Sequence, residues 1–198
     1  MTIISSSITF PGIGWWEQVI KADKLIIDNG EHFQKMSYRN RYRIAGANNS
    51  ILLTVPLVKG RDQKSVMANI LIHNAEKWQV QHWRTLVSAY RRSPFFDHYE
   101  PSLSRLFETP YTHLTHFNLE SIKWVVKQLR LKLVIEETTT YIDDYGPEIP
   151  DLRKKEPIAN ADKKYYQVFE DRLGFVPNLS ILDLLFSEGP AVGEYLKK

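Results

Sequence analysis

The fold class is indicated most clearly by residues 2–28, TIISSSITFPGIGWWEQVIKADKLIID. β-Branched residues with partial alternation over 2–10 predict a strand, which Pro11-Gly12 ends. A short helix over 15–23 and a buried strand over 25–28 follow. Strand, short helix and strand are the minimum that a right-handed βαβ crossover needs, so the pattern predicts two neighbouring parallel strands.

Outward from this unit, strand patterns continue at 49–58 and 67–72, and helical patterns dominate afterwards. Three helices are predicted, the first capped by Asn74 and the second broken at Pro101: 75–92, 95–108 and 118–130. The chain is therefore predicted to be α/β, with an N-terminal strand-rich, Rossmann-like βαβ part, a mainly helical second half and a short packed C-terminal tail.

The predicted domain organisation is a single α/β domain over 1–142, which ends in a strand. A Pro-, Gly- and charge-rich linker follows over 143–160, and a tail over 161–198 is expected to pack back on the domain. Within the tail, ILDLLF predicts a short helix that starts after Asn178 or Ser180 and stops at Gly189-Pro190.

Composition excludes several classes of protein. The chain has no cysteine, so disulfides and thiolate metal sites are excluded. No apolar run approaches the ~20 residues of a transmembrane helix, and MTIISSSITF does not resemble a signal peptide, so a cytoplasmic protein without membrane insertion is expected. Charge is uneven: residues 1–135 hold 18 cations and 10 anions, residues 136–198 hold 8 and 13. This imbalance is too mild for a duplex-DNA binder.

Residues 31–44, EHFQKMSYRNRYRI, concentrate four cations among aromatic and amide side chains. Because Arg39, Arg41 and Arg43 alternate, all three would line one face of a strand, whereas on a helix Arg39 and Arg43 would align and Arg41 would point away. Arginine favours bidentate contact with phosphate or carboxylate. Two interpretations stay open: a site for an anionic ligand, or a solvated edge whose cations pair with acids of the tail.

The candidate site lies where the strand over 25–28 ends, because ligands gather outside the carboxyl ends of strands in open α/β sheets. Asp28, Glu31 and His32 are the predicted acid–base residues. A second set is predicted to bind substrate: Trp15, Lys35, Tyr38, Arg39, Asn40 and Arg41.

The remaining aromatic and histidine residues carry weaker indications. Trp15 and Trp16 are adjacent on one helix, which predicts that one of them borders a cleft and offers an indole for stacking. His113 and His116 have a metal-ligand spacing but lack a third ligand, so neither a metal nor another cofactor is predicted. No Walker loop, G-x-G-x-x-G or His-x-Gly-His signature is present.

Three stretches resemble the WbqC-like family of bacterial proteins: FPGIGWWEQVIKADKLIID (10–28), EHFQKMSYRNRYRI with LLTVPL (31–57) and KWQVQHWRTLVSAYRRSPFFDHYE (77–100). The family's W/Y-x-N-R-x-R-I core matches at residues 38–44. Its earlier Q-x-x-Y-x-P turn is altered to TFPGIGWW. Residues 169–190 resemble the tail of Bacteroidetes-type members.

The resemblance implies an association with O-antigen and surface-polysaccharide synthesis, but no particular reaction. The leading hypothesis is a cytoplasmic group-transfer enzyme acting on a nucleotide-linked or phosphorylated sugar, or on another small anionic metabolite. The alternative is a non-catalytic protein that binds single-stranded RNA through residues 33–43, or a polysaccharide-assembly partner through its apolar tail 175–186. The oligomeric state is left open.

Overall fold

The computed structural model describes residues 1–60, 64–154, 157–160 and 163–198, and its centre is a parallel three-stranded sheet. Its strands are β1 (Thr2–Ser6), β2 (Lys24–Asp28) and β5 (Val134–Thr138), in the order β1–β2–β5. Helix α1 (Ile13–Val19) connects β1 to β2, which pair in parallel. The predicted βαβ unit and the α/β class are confirmed.

A separate antiparallel hairpin carries the arginine-rich segment. It consists of β3 (Arg41–Ile44) and β4 (Ile51–Thr54), so the strand predicted over 49–58 is shorter than expected. One face of β3 is buried through Tyr42 and Ile44, and the other face carries arginines. This alternation is the period-two pattern of a strand with one face toward the core.

The strand predicted over 67–72 is wrong. Met67–Asn69 form a 3-10 turn, and the following residues make only isolated bridges, Leu71 to His113 and Ile72 to Leu57. Because the two residues bridge to different segments, no continuous ladder forms, although Met67, Ile70 and Ile72 are buried.

Three helices pack beside the sheets: α2 (Trp78–Tyr90), α3 (Phe96–Glu108) and α4 (Leu114–Gln128). Helix α3 continues through Pro101, so the predicted break is wrong. Pro101 lies near the middle of α3, so its missing amide removes one hydrogen bond of the helix without ending it. The predicted cap is wrong too, since Asn74 accepts from the Trp78 indole and donates to the Tyr111 carbonyl instead.

The C-terminal part forms three short helices, α5 (Glu170–Leu173), α6 (Ile181–Glu188) and α7 (Val192–Lys197). Ser180 caps α6 as predicted, because its hydroxyl accepts from the Leu182 amide. The side chains of α6 are buried in the same hydrophobic cluster as those of β1, α1 and α2. They are therefore not available as the partner contact that the apolar tail suggested. Residues 155–156 of the predicted linker and 161–162 of the predicted tail lie outside the described residues.

Within the described ranges, no helix combines the length and apolar character needed to cross a membrane.

Candidate functional site

The carboxyl ends of β1 and β2 bring together polar residues that are far apart in the sequence: Ser6, Glu31 and Arg39. Arg39 and Glu31 are each about 4% exposed and form a bidentate ion pair, with Nε to Oε1 at 2.9 Å and Nη2 to Oε2 at 2.6 Å. Nη2 also donates to Ser6 Oγ at 2.9 Å. Two separate segments, one with Glu31 and one with Ser6, thus fix the guanidinium of Arg39 in one orientation.

A second buried ion pair lies beside the first. Nη1 of Arg153 donates to Asp28 Oδ2 at 2.6 Å, and the same guanidinium binds Asp151. The hydrogen bonds to Asp151 and Asp28 raise the pKa of Arg153 above its ordinary value. The other carboxylate oxygen of Asp28 accepts from the Gly30 and Glu31 amides, which shapes the turn after β2.

Arg153 was missed by sequence reasoning because it follows an irregular segment 125 residues from Asp28. The structure places it through the outer edge of β1, where Ile4 pairs in parallel with Asp151. The Ile4 amide donates to the Pro150 carbonyl at 3.1 Å, and the Leu152 amide donates to the Ile4 carbonyl at 2.9 Å. Residues 150–152 therefore run like a short extra strand, and Arg153 follows where that strand ends.

Aromatic rings and carbonyls hold the Arg153 guanidinium on its outer side. Its carbon lies 5.1 Å from the centre of the Tyr141 ring and 5.2 Å from that of Tyr145. The carbonyls of Ile142 and Asp143 accept from its terminal nitrogens. Such contacts stabilise a cation withdrawn from water, so the loop after β5 closes around this residue.

A cavity of about 230 Å³ opens beside these pairs, and we call it the strand-end cavity. Its polar lining combines positive charge with hydroxyl and amide groups: Ser6, Gln34, Ser37, Arg39, Arg153 and Lys154. Tyr38, Ile8 and Leu152 complete the wall. Hydroxyl and amide groups bind sugar-like hydroxyls, and guanidinium and ammonium groups bind phosphate or carboxylate.

The other predicted site residues occupy different environments. His32 is exposed and its backbone bridges to Val66, and Lys35 is exposed in the turn that follows. Asn40 is buried, and its amide nitrogen donates to the Val55 carbonyl. Tyr38 is half-buried on the wall of the strand-end cavity. Of the predicted acid–base residues, Asp28 and Glu31 are tied to arginines, and His32 alone faces solvent.

The prediction that Arg39, Arg41 and Arg43 line one strand face is wrong for Arg39. Strand β3 begins at Arg41, so only Arg41 and Arg43 project from its outer face. Arg39 lies before the strand and turns inward because Glu31 pairs with it. Its counter-charge therefore comes from the same segment and not from the tail.

The prediction that one of the two adjacent tryptophans borders a cleft is wrong. Both Trp15 and Trp16 have 0% exposure. Helix α1 contacts α6 and α7 as well as the sheet side, so both of its faces are covered. The Trp15 indole donates to Ser5 Oγ at 2.9 Å, so this side chain supports the start of the site from inside the core.

Among the described residues, no group of three or more histidine, aspartate or glutamate side chains is arranged to hold a metal ion. The acids at the strand ends bind arginine and backbone amides instead.

Comparison with known proteins gives one family and one distant relative. The model of the WbqC-like protein family matches residues 7–149, which include Asp28, Glu31 and Arg39 but not Arg153. The chain is also similar to the uncharacterised protein Rv1507c of Mycobacterium tuberculosis, with 24% identity over 231 aligned positions that cover 98% of this chain and 96% of that protein. No solved structure matches it significantly.

Proposed function

The chain belongs to the WbqC-like protein family, and from this premise and the strand-end cavity we propose that it is a group-transfer enzyme acting on a phosphorylated or nucleotide-linked sugar. Its place in the cell would be the cytoplasm, and its pathway the synthesis of surface polysaccharide. The observation that carries the proposal is a buried, pre-oriented arginine on the wall of a cavity that also offers hydroxyl and amide groups.

Pre-orientation lowers the entropy cost of binding an anion at Arg39, whose charge is shared with Glu31. Glu31 holds one edge of the guanidinium and Ser6 accepts from it, so the side chain has no rotamer freedom left to lose when a ligand binds. Lys154, which is exposed, adds a mobile positive charge at the same cavity. A phosphorylated group is the ligand that this combination suits best.

Asp28 and Glu31 serve this function as positioning residues, because each already accepts from an arginine. His32 is the proposed acid–base residue, since it is exposed at the start of the same turn. It would accept the proton of an attacking hydroxyl as the oxygen of that hydroxyl bonds to the anomeric carbon of the sugar. The bond from this carbon to the phosphate oxygen would break, and the phosphate would leave with the bonding electrons toward the arginines. Direct transfer of this kind needs no covalent intermediate on the protein.

The test is thermal melting of the full chain against sugar phosphates, nucleotides, nucleotide sugars and short RNA. A ligand at about 100 times its dissociation constant should raise Tm by roughly 5–10 °C. Lys154→Met removes an exposed charge of the cavity and should reduce this shift. Lys21→Met is the matched control, because Lys21 is an exposed lysine before β2, at the amino ends of the parallel strands and not at their carboxyl ends.

Two outcomes would contradict the proposal. A shift with RNA alone, lost steeply as salt rises, would indicate the nucleic-acid-binding alternative. An equal reduction in Lys154→Met and Lys21→Met would show that a general loss of charge, and not the strand-end cavity, determines binding.

A further inference from the structure

A second cavity adjoins the strand-end cavity on the other side of Tyr38. It has a volume of about 220 Å³, and we call it the hairpin cavity because β3 and β4 supply part of its lining. Ser37 and Tyr38 line both cavities. The two spaces therefore share one wall, with Arg39 on one side of it and Arg41 on the other.

The hairpin cavity differs from its neighbour in chemistry. Arg41 and Arg43 project into it from the outer face of β3, and Leu52, the register partner of Arg43, lies beside them on β4. Leu52 is 44% exposed and Met36 is 74% exposed. Planar guanidinium groups next to apolar side chains and a tyrosine ring form a surface on which a flat, aromatic group stacks well.

Arg41 carries an additional indication of a ligand. Its Nε is withdrawn from water, and within the part of the chain that the structure describes it has no hydrogen-bond acceptor. A charged donor left in this state is unfavourable, and a shift of the Arg41 side chain toward a bound oxyanion would relieve it. A phosphate near the shared wall could reach Arg41 and Arg39 at once.

The volumes of the two cavities distinguish between small and large ligands. Each cavity alone is smaller than the ~300 Å³ at which small-molecule sites usually begin, whereas the two combined fall within the usual range. A sugar monophosphate would fill one cavity and leave the other empty. A ligand with two unlike ends would fill both.

We propose that the two cavities form one site for a nucleoside diphosphate joined to a hydroxyl-rich sugar. The base occupies the hairpin cavity, the diphosphate lies over Ser37 and Tyr38 between Arg39 and Arg41, and the sugar occupies the strand-end cavity. This inference rests on the proposed function and narrows its substrate from phosphorylated sugars in general to nucleotide-linked ones.

The experiment is calorimetric titration of the full chain with UDP-glucose and GDP-mannose, each compared with its nucleoside diphosphate and its sugar 1-phosphate. One of the two conjugates should bind at least tenfold more tightly than either of its halves. Arg43→Met should weaken binding of the conjugate and of the nucleoside diphosphate about tenfold, and should leave binding of the sugar 1-phosphate unchanged. Lys154→Met should weaken binding of the conjugate and of the sugar 1-phosphate more than binding of the nucleoside diphosphate.

Two further variants complete the design. Arg92→Met is the matched control, because Arg92 is an exposed arginine in the turn after α2 and lines neither cavity. Leu52→Glu places a negative charge in the hairpin cavity from an exposed position and should abolish binding of the nucleoside diphosphate.

The outcomes distinguish this inference from the proposed function. A sugar 1-phosphate that binds as tightly as the conjugate, with Arg43→Met and Leu52→Glu unchanged from wild type, would overturn the two-cavity site and leave the proposed function standing. Absence of binding by every probe at millimolar concentration would overturn both.

Discussion

At the strand ends, the buried carboxylate of Glu31 lies against the guanidinium of Arg39, whereas the buried carboxylate of Asp183 is bonded by the hydroxyls of Tyr90 and Tyr165. The tyrosine hydroxyls donate at 2.7 and 2.6 Å, and Asp183 has 0% exposure. Both acids are fully bonded. One is compensated by an opposite charge and the other only by neutral donors.

This difference shows in the energetics of Asp183. Burial raises the pKa of its carboxyl to about 6, although the hydrogen bonds from Tyr165 and Tyr90 act in the opposite direction. Asp183 lies on α6, Tyr90 on α2 and Tyr165 in the tail, so the cluster joins three segments of the core. Neutral donors thus offset only part of the effect of burial on Asp183, whereas at the strand ends guanidinium groups face the buried carboxylates beside a cavity.

The largest expected effect comes from leaving a charge uncompensated at the strand ends. Glu31→Gln keeps the shape of the side chain and removes the charge that faces Arg39. Breaking a buried ion pair in this way should lower the free energy of unfolding by about 3–5 kcal/mol. Denaturant unfolding measures it, with Glu120→Gln as control, because the exposed Glu120–Lys123 pair should contribute less than about 1 kcal/mol.

A double replacement sharpens this test. Glu31→Leu with Arg39→Met removes both charges and should recover most of the lost stability, since apolar residues often replace buried ion pairs without cost. Such a protein should fold and yet fail to bind the anionic ligand. A loss below about 1 kcal/mol in Glu31→Gln would mean that water reaches the pair and that the strand ends are not compensated as described.

The next largest effect is a pH dependence of the free energy of unfolding, which arises at Asp183 and not at the strand ends. Between its ordinary value of 3.8 and about 6, folded Asp183 holds a proton that the unfolded chain has released. The contribution of this proton to folding stability is therefore fully present below pH ~4 and is lost as pH rises to about 6. The free energy of unfolding changes by about 3 kcal/mol as a result. Asp183→Asn should lack this change when unfolding is measured across that range, and parallel curves for variant and wild type would refute it.

A smaller effect on stability distinguishes two serines of β1, one that accepts from a charged donor and one that accepts from a neutral donor. Ser6 accepts from the Arg39 guanidinium, and Ser5 accepts from the neutral Trp15 indole. Hydrogen bonds to charged groups contribute more, so Ser6→Ala should cost about 2 kcal/mol and Ser5→Ala about 1 kcal/mol in chemical denaturation. The reverse order would indicate that Arg39 gains little from this acceptor.

Local patterns in the sequence predicted part of the strand-end region, and contacts between distant residues determined the rest. The βαβ unit and the position of Asp28 and Glu31 followed from local periodicity and from the rule that parallel strands end at one edge. The orientation of Arg39 did not, because Glu31 overrides the alternation that Arg41 and Arg43 obey. Arg153 has no local signal at all, since only the pairing of residues 150–152 with β1 brings it to Asp28.

The smallest expected effect on stability belongs to Arg43, a cation outside both regions. Arg43→Met should leave Tm within about 1–2 °C of wild type, because an exposed side chain away from buried contacts contributes little to folding. The affinity of the Arg43→Met protein for a nucleoside diphosphate should nevertheless fall about tenfold if the hairpin cavity binds the base. Stability retained with binding lost would separate recognition from folding at Arg43, whereas a variant of Glu31 is expected to change both, through its ion pair with Arg39. A marked loss of stability would instead make Arg43 part of the fold and remove it as a recognition residue.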